Sequence, residues 1–147
     1  MKEGRLSGRG GLERQPAVTA LLRGLATLLA WPTGADGRGL GDALSRRGVK
    51  LDEAVLGRFN GRIALVLGGK AADAKPLAFV DKESWMPLRL LVAEGGTVYD
   101  LRFLDWGSAV GADRLPRVIE VWKGTALLLR FNTEKTTANP RLADTLF

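Results

Sequence analysis

A chain of 147 residues, 46% hydrophobic and 26% charged, has the apolar content of one globular domain and too much of it for intrinsic disorder. It contains neither cysteine nor histidine, which excludes disulfides, thiolate nucleophiles, Cys/His metal centres and any Ser-His-Asp triad. The net charge of +6 comes from basic residues interleaved with acids, as at Asp81-Lys82-Glu83, and no block of like charge forms a nucleic-acid footprint.

Residues 1–15 are rich in glycine and arginine, and Arg5 to Arg9 read as the tail of a strand. Met1-Lys2-Glu3-Gly4-Arg5 is polar and leads into Gly8-Arg9-Gly10-Gly11, without the apolar segment of a secretory leader. The longest apolar stretch, 17–31, is interrupted by Arg23 and falls short of the roughly 20 residues a transmembrane helix needs. Pro16 suits the first position of a helix, and Val18, Leu21, Leu22, Leu25, Leu28 and Leu29 follow at helical spacing as one apolar stripe. Trp31-Pro32-Thr33-Gly34 ends it. A shorter helix is predicted over 39–47. Leu40, Ala43 and Leu44 form its apolar face, Arg46-Arg47 sit at the negative end of its dipole, and Gly48 caps it with Val49 as the hydrophobic contact.

From there the period changes to two. Strands are predicted over 53–59, 61–68, 76–82, 86–94, 97–106, 116–123 and 125–135, with turns at Asn60-Gly61, Gly68-Gly69, Gly95-Gly96 and Gly124. Short connections make sequence neighbours sheet neighbours, so the expected topology is a meander. The segment 136–147 reads as loop. Alternation groups Tyr99, Leu101 and Phe103 on one face, with Asp100 and Arg102 opposed. It groups Ile63, Leu65 and Leu67, then Met86, Leu88, Leu90 and Val92, then Leu127, Leu129 and Phe131. The fold class is α+β: a curved antiparallel sheet with helices packed on its concave face. That interface is either closed core or ligand cavity.

Three segments resemble the lipoprotein-localisation factor superfamily, the LolA-like periplasmic carriers. Phe79-Val80-Asp81-Lys82 followed by Met86-Pro87-Leu88-Arg89-Leu90 is similar to a strand ending in a valine-aspartate-lysine turn and then a proline-led strand. Leu115-Pro116-Arg117-Val118-Ile119-Glu120-Val121 resembles a late strand opened by proline, and Asn139-Pro140-Arg141-Leu142 with Asp144-Thr145-Leu146-Phe147 resembles the closing pattern. Asn60-Gly61-Arg62 before an apolar strand adds to the likeness. The resemblance implies a half-open β-barrel that holds acyl chains on its concave face under helices, in the periplasm or at the outer membrane. The resemblance implies a single LolA-like domain over 1–147, expected to be short of the family's N-terminal strands and leader. The family's lid-holding arginine, which lies in the N-terminal part, has no counterpart that can be placed here.

The leucine stripe of the first helix reads either as a lid over a lipid cavity or as a core helix, and Tyr99, Phe103, Phe131 and Phe79 read either as pocket wall or as core. Trp85, Trp106 and Trp122 fit rim or outer-face positions, half-buried more readily than in contact with a partner. The carboxylate pairs Asp81/Glu83 and Asp100/Asp105 are not placed in a cleft, so acid–base catalysis is not expected of them. Neither Gly8-Arg9-Gly10-Gly11 nor 34–41 has the lysine and spacing of a phosphate loop.

The expected function is a non-enzymatic carrier for lipoproteins or other acylated ligands, needing no cofactor and no metal. Its partners are acyl chains and membrane-associated donor and acceptor proteins, with no nucleic acid, and the chain acts as a monomer. The expected lining is Leu22, Leu25, Leu29, Leu65, Leu88, Leu90, Tyr99, Leu101, Phe103, Leu127, Leu129 and Phe131. The alternative is a periplasmic sensor or interaction module on the same scaffold, without lipid transport.

Overall fold

The computed structural model describes residues 15–29, 38–70, 76–106 and 115–134, and only the backbone of 28, 29 and 38–40. The expected strand tail at Arg5 to Arg9, the helix stop at Trp31-Pro32-Thr33-Gly34 and the loop 136–147 lie outside the described residues.

Helix α1, Pro16–Leu29, begins where proline costs no hydrogen bond. The Gln15 carbonyl accepts from the amides of Val18 and Thr19 at 3.0 and 3.1 Å, so the first turn is closed just ahead of the proline. Helix α2, Arg38–Ser45, ends in the predicted cap. Gly48 adopts φ 82°, the Val49 amide donates to the Leu44 carbonyl at 3.1 Å, and the Gly48 amide donates to the Ser45 carbonyl at 2.9 Å. This is the double hydrogen bond of a Schellman motif. It turns Val49 back so that it is buried with Leu44.

Seven strands follow: β1 (Ala54–Phe59), β2 (Arg62–Leu67), β3 (Leu77–Asp81), β4 (Pro87–Glu94), β5 (Thr97–Trp106), β6 (Pro116–Lys123) and β7 (Ala126–Asn132). Each pairs antiparallel with its sequence neighbour, in the order β1-β2-β3-β4-β5-β6-β7. The sheet does not close, and β1 and β7 are its edges. The expected meander is therefore the observed one. The β1–β2 turn has positive φ at both Asn60 and Gly61, 50° and 79°. That twist matches the right-handed twist of the strands, which is why Asn-Gly marks hairpins in sequence.

Two packed clusters divide the sheet into two faces. Ala78, Leu90, Val92, Tyr99, Leu101, Phe103, Ile119 and Val121 share one cluster with Ala20 of α1, Leu44 and Val49. We call this side the helical face, and α1 makes its main contacts there with β4, β5 and β6. Ala64, Val66, Leu77, Phe79, Leu88 and Leu91 form the second cluster, joined by Phe59 and Val98. Trp106 packs against both.

Three expectations about faces change. Alternation puts Leu88 with Leu90, but the register between β3 and β4 shifts at Phe79/Val80, so Leu88 falls in the bulge and joins the second cluster. Phe79 is also in that cluster and does not share a face with Tyr99 and Phe103. A shift at Val121/Trp122 sets Leu127 opposite Trp122, away from the side on which Leu129 pairs with Val121 and Phe131 with Ile119.

The buried side of α1 also differs from its leucine stripe. Ala20, Gly24 and Thr27 are buried, Ala17, Leu21 and Leu25 flank them, and Leu22 is 55% exposed. The reason is close approach. A Cβ built on Gly24 would lie 2.0 Å from Leu101 Cδ2, so the helix rests on its small residues and the larger leucines splay to either side. Thr27 satisfies its hydroxyl within the helix by donating to the Arg23 carbonyl at 2.9 Å.

Candidate functional site

The helical face separates into a sealed centre and open flanks. Leu90, Tyr99, Leu101 and Phe103, all expected as lining, are buried in the centre. Leu25 and Leu129 pack half-buried against that centre, and Leu65 is half-buried on β2. Phe131 on β7 is 52% exposed, and Leu22 projects outward from α1. The side chain of Leu29 lies outside the described residues, while Leu88 and Leu127 belong to the other side, as their registers dictate. So the structure groups eight of the expected twelve around α1's side of the sheet, Leu65 and Phe131 marking its opposite borders.

Two exposed side chains absent from the expected lining complete the β1–β2 flank. Leu56 pairs with Leu65 in register and is 65% exposed, and Ile63 lies two residues before Leu65 on the same side. Alternation in 54–67 carried that signal. Apolar surface is thus exposed on both borders of the helical face, beyond the strands α1 covers. Isolated exposed leucines are ordinary, but a set that continues a buried face is less so.

A cleft of about 650 Å³ opens where α1, α2 and β4 meet. Arg23 and Ala26 come from α1, Ala43 from α2, Arg46 and Arg47 from the turn after α2, and Val92 and Ala93 from β4. Arg23 Nη1 stands 2.5 Å from Glu94 Oε2. That oxygen makes no aligned hydrogen bond, so the contact is an ion pair only. Arg46 Nε donates to the Asp42 carbonyl at 3.2 Å, which suits a cation at a helix C-terminus. Arg47 differs: its Nη1 is buried and unpartnered. Burial, and then the nearby charge of Arg23, lower the affinity of the Arg47 guanidinium for its proton. The sequence marked Arg46 and Arg47 as helix-end cations but did not bring Arg23 to them.

The opposite face carries a charged ladder. Asp100 accepts from Arg89 Nε at 2.7 Å and Nη2 at 2.9 Å, and from Arg102 Nε at 3.0 Å. Glu120 accepts from Trp122 Nε1 at 2.8 Å and from Arg130 Nη1 at 2.9 Å. The Arg102 guanidinium lies 4.5 Å from the Trp122 ring centre, and Arg89 lies 5.0 Å from that of Phe79. Trp122 is thus a half-buried member of this network, and Trp106 is a half-buried packing residue.

Asp81 and Glu83 belong to the β3–β4 turn. Asp81 Oδ1 accepts from the amides of Glu83 and Ser84 at 2.9 and 2.7 Å, and Arg62 Nη1 reaches Oδ2 at 3.1 Å. Burial pushes the Asp81 carboxyl up, but the Ser84 and Glu83 hydrogen bonds and the Arg62 charge together outweigh it and hold it below its ordinary range. A hollow of about 420 Å³ beside it is lined by Arg58, Arg62, Lys82, Asp81 and Glu83, so its charges are largely offset. Among the described residues no cluster of carboxylates has metal-ligating geometry, and no helix is long and apolar enough to cross a membrane.

The chain matches no family model, and no curated protein or solved structure proves similar to it.

Proposed function

We propose that this chain is a non-enzymatic binding protein for acylated ligands, held on the concave, helix-bearing side of a half-open β-barrel. The observation that carries this reading is the continuation of one buried face into exposed apolar borders, with Leu56 and Ile63 on one side of α1 and Phe131 on the other. Burying a methylene contributes about 0.8 kcal/mol, so an acyl chain covering either border gains appreciably. The contact between Gly24 and Leu101 seals the space beneath the middle of α1, so the guest lies beside the helix. In this reading Leu25, Leu56, Ile63, Leu65, Leu129 and Phe131 meet the ligand, while Leu90, Tyr99, Leu101 and Phe103 support them. The ligands are lipoproteins or lipids, exchanged with membrane-associated donors and acceptors by a monomer in the periplasm or at the outer membrane.

Displacement of a fluorescent fatty acid tests this. Uptake by the wild type, and its loss in folded Leu129→Glu and Phe131→Glu variants, is the expected result. A wild type that takes up no probe, or variants that bind it as well as wild type, ends the carrier reading. The same tight contact at Gly24 favours a second reading, an interaction module whose helical face is simply core. Absence of uptake together with a stable folded monomer points to it.

A further inference from the structure

We propose that the cleft between α1, α2 and β4 is a phosphate-binding site, with Arg47, Arg23 and Arg46 as the groups that hold a phosphate monoester. The inference rests on the acyl-binding reading for its ligand: an acylated molecule with a phosphate head.

Three guanidiniums, from Arg23, Arg46 and Arg47, line a cleft whose described carboxylate partner is Glu94 alone. Among the described residues the local excess is therefore three cations less one anion, or two positive charges. A phosphate monoester carries about −1.5 to −2 near neutrality and offers three acceptor oxygens, a match in both charge and hydrogen-bonding capacity. Guanidinium forks bind such oxyanions in bidentate fashion.

Stabilisation of the α2 C-terminus accounts for Arg46, whose Nε already donates to the Asp42 carbonyl. It does not account for Arg47. Its Nη1 is buried without a partner beside a second guanidinium, an arrangement that costs free energy until an anion enters. Glu94 oxygen Oε2, close to Arg23 but out of hydrogen-bonding line, reads as a weak internal competitor that a better-shaped anion displaces. The remaining walls, Ala26, Ala43, Val92 and Ala93, are small and apolar, which leaves room for the first carbons next to the phosphate. Val92 also belongs to the buried cluster of the helical face, so the cleft lies on the same side of the sheet as the proposed acyl-binding surface.

Calorimetric titration at low ionic strength, below the micelle threshold, compares lysophosphatidic acid with the monoacylglycerol of the same chain. The phosphate-bearing lipid is expected to bind at least about tenfold tighter. Arg47→Gln and Arg23→Gln should bring it down to the affinity of the monoacylglycerol, whereas Glu94→Gln should strengthen it. Equal affinity of the two lipids for the wild type, or an advantage that persists in the arginine variants, overturns the site while leaving the acyl-binding reading intact. If neither lipid binds, that reading falls, and titration with glycerol 3-phosphate and inorganic phosphate decides the cleft. Binding weakened by Arg47→Gln upholds a site for a soluble phosphate, and no binding overturns it. Should Arg47→Gln fail to fold, the exposed Arg23→Gln and the opposite effect of Glu94→Gln give the same decision.

Discussion

Arg89 on β4 and Asp100 on β5 form a two-pronged ion pair across adjacent strands, with Nε and Nη2 of the guanidinium reaching the two carboxylate oxygens at 2.7 and 2.9 Å. Arg102 completes the coordination of the same carboxylate at 3.0 Å. The carboxylate is buried and the arginines are partly shielded, so the bonds act in a medium less screening than water. Because strand side chains alternate, a one-residue slip would carry Asp100 to the apolar helical face. The pair therefore fixes the β4–β5 register as well as adding stability.

Asp100→Ala leaves two partly buried arginines without their anion. A loss of about 3 kcal/mol is expected from urea denaturation. Arg89→Ala should cost less, because Arg102 still meets the carboxylate. Equal costs would mean that Arg102 does not compensate and that Arg89 carries the whole interaction with Asp100.

Gly24→Ala should destabilise the protein although alanine is the better helix former by about 1 kcal/mol. The added Cβ would stand 2.0 Å from Leu101 Cδ2, and Leu101 has no exposed surface through which to retreat. Overpacking of this kind costs about 1–3 kcal/mol. In the double variant Gly24→Ala/Leu101→Ala the alanine methyl occupies the vacated space. The two effects should then fall short of additivity by about 1 kcal/mol or more in thermal or urea melts.

Asp81 makes the turn between β3 and β4 sensitive to acid. Its carboxyl is held below its ordinary range in the folded state, so its contribution is fully present above the unfolded carboxylate pKa and is lost as pH falls through the folded value. Urea midpoints measured from about pH 7 down to about pH 3 should decline in the wild type, and the decline should be shallower in Asp81→Asn. The variant keeps an acceptor for the Ser84 and Glu83 amides but loses the ionic contact to Arg62. An unchanged acid limb would remove Asp81 from the account.

Leu88→Ala and Phe131→Ala should separate packing from binding. Leu88 is buried in the second cluster, and its truncation should cost about 2–4 kcal/mol. Acyl uptake per folded molecule should not change. Phe131 is half exposed, so its truncation should cost little stability and lower uptake. The reverse pattern would place the ligand on the other face of the sheet.

The amino-acid sequence by itself determined the helices, the strands and their order. Those depend on signals within a few residues: proline at the start of α1, glycine in the cap after α2, Asn60-Gly61 in a hairpin, and two-residue alternation along β5. Tertiary structure decided which side chains share a face wherever a ladder breaks. Bulges exist only once two strands are paired, so nothing local to 86–92 or 126–131 tells that Leu88 and Leu127 change sides. It also decided which side of α1 is buried. Helical periodicity counts leucines, but contact distance selects the smallest residues, and Gly24 over Leu101 overrides the stripe. The arginine cleft arises the same way, because Arg23 meets Arg46 and Arg47 only when α1, α2 and β4 converge.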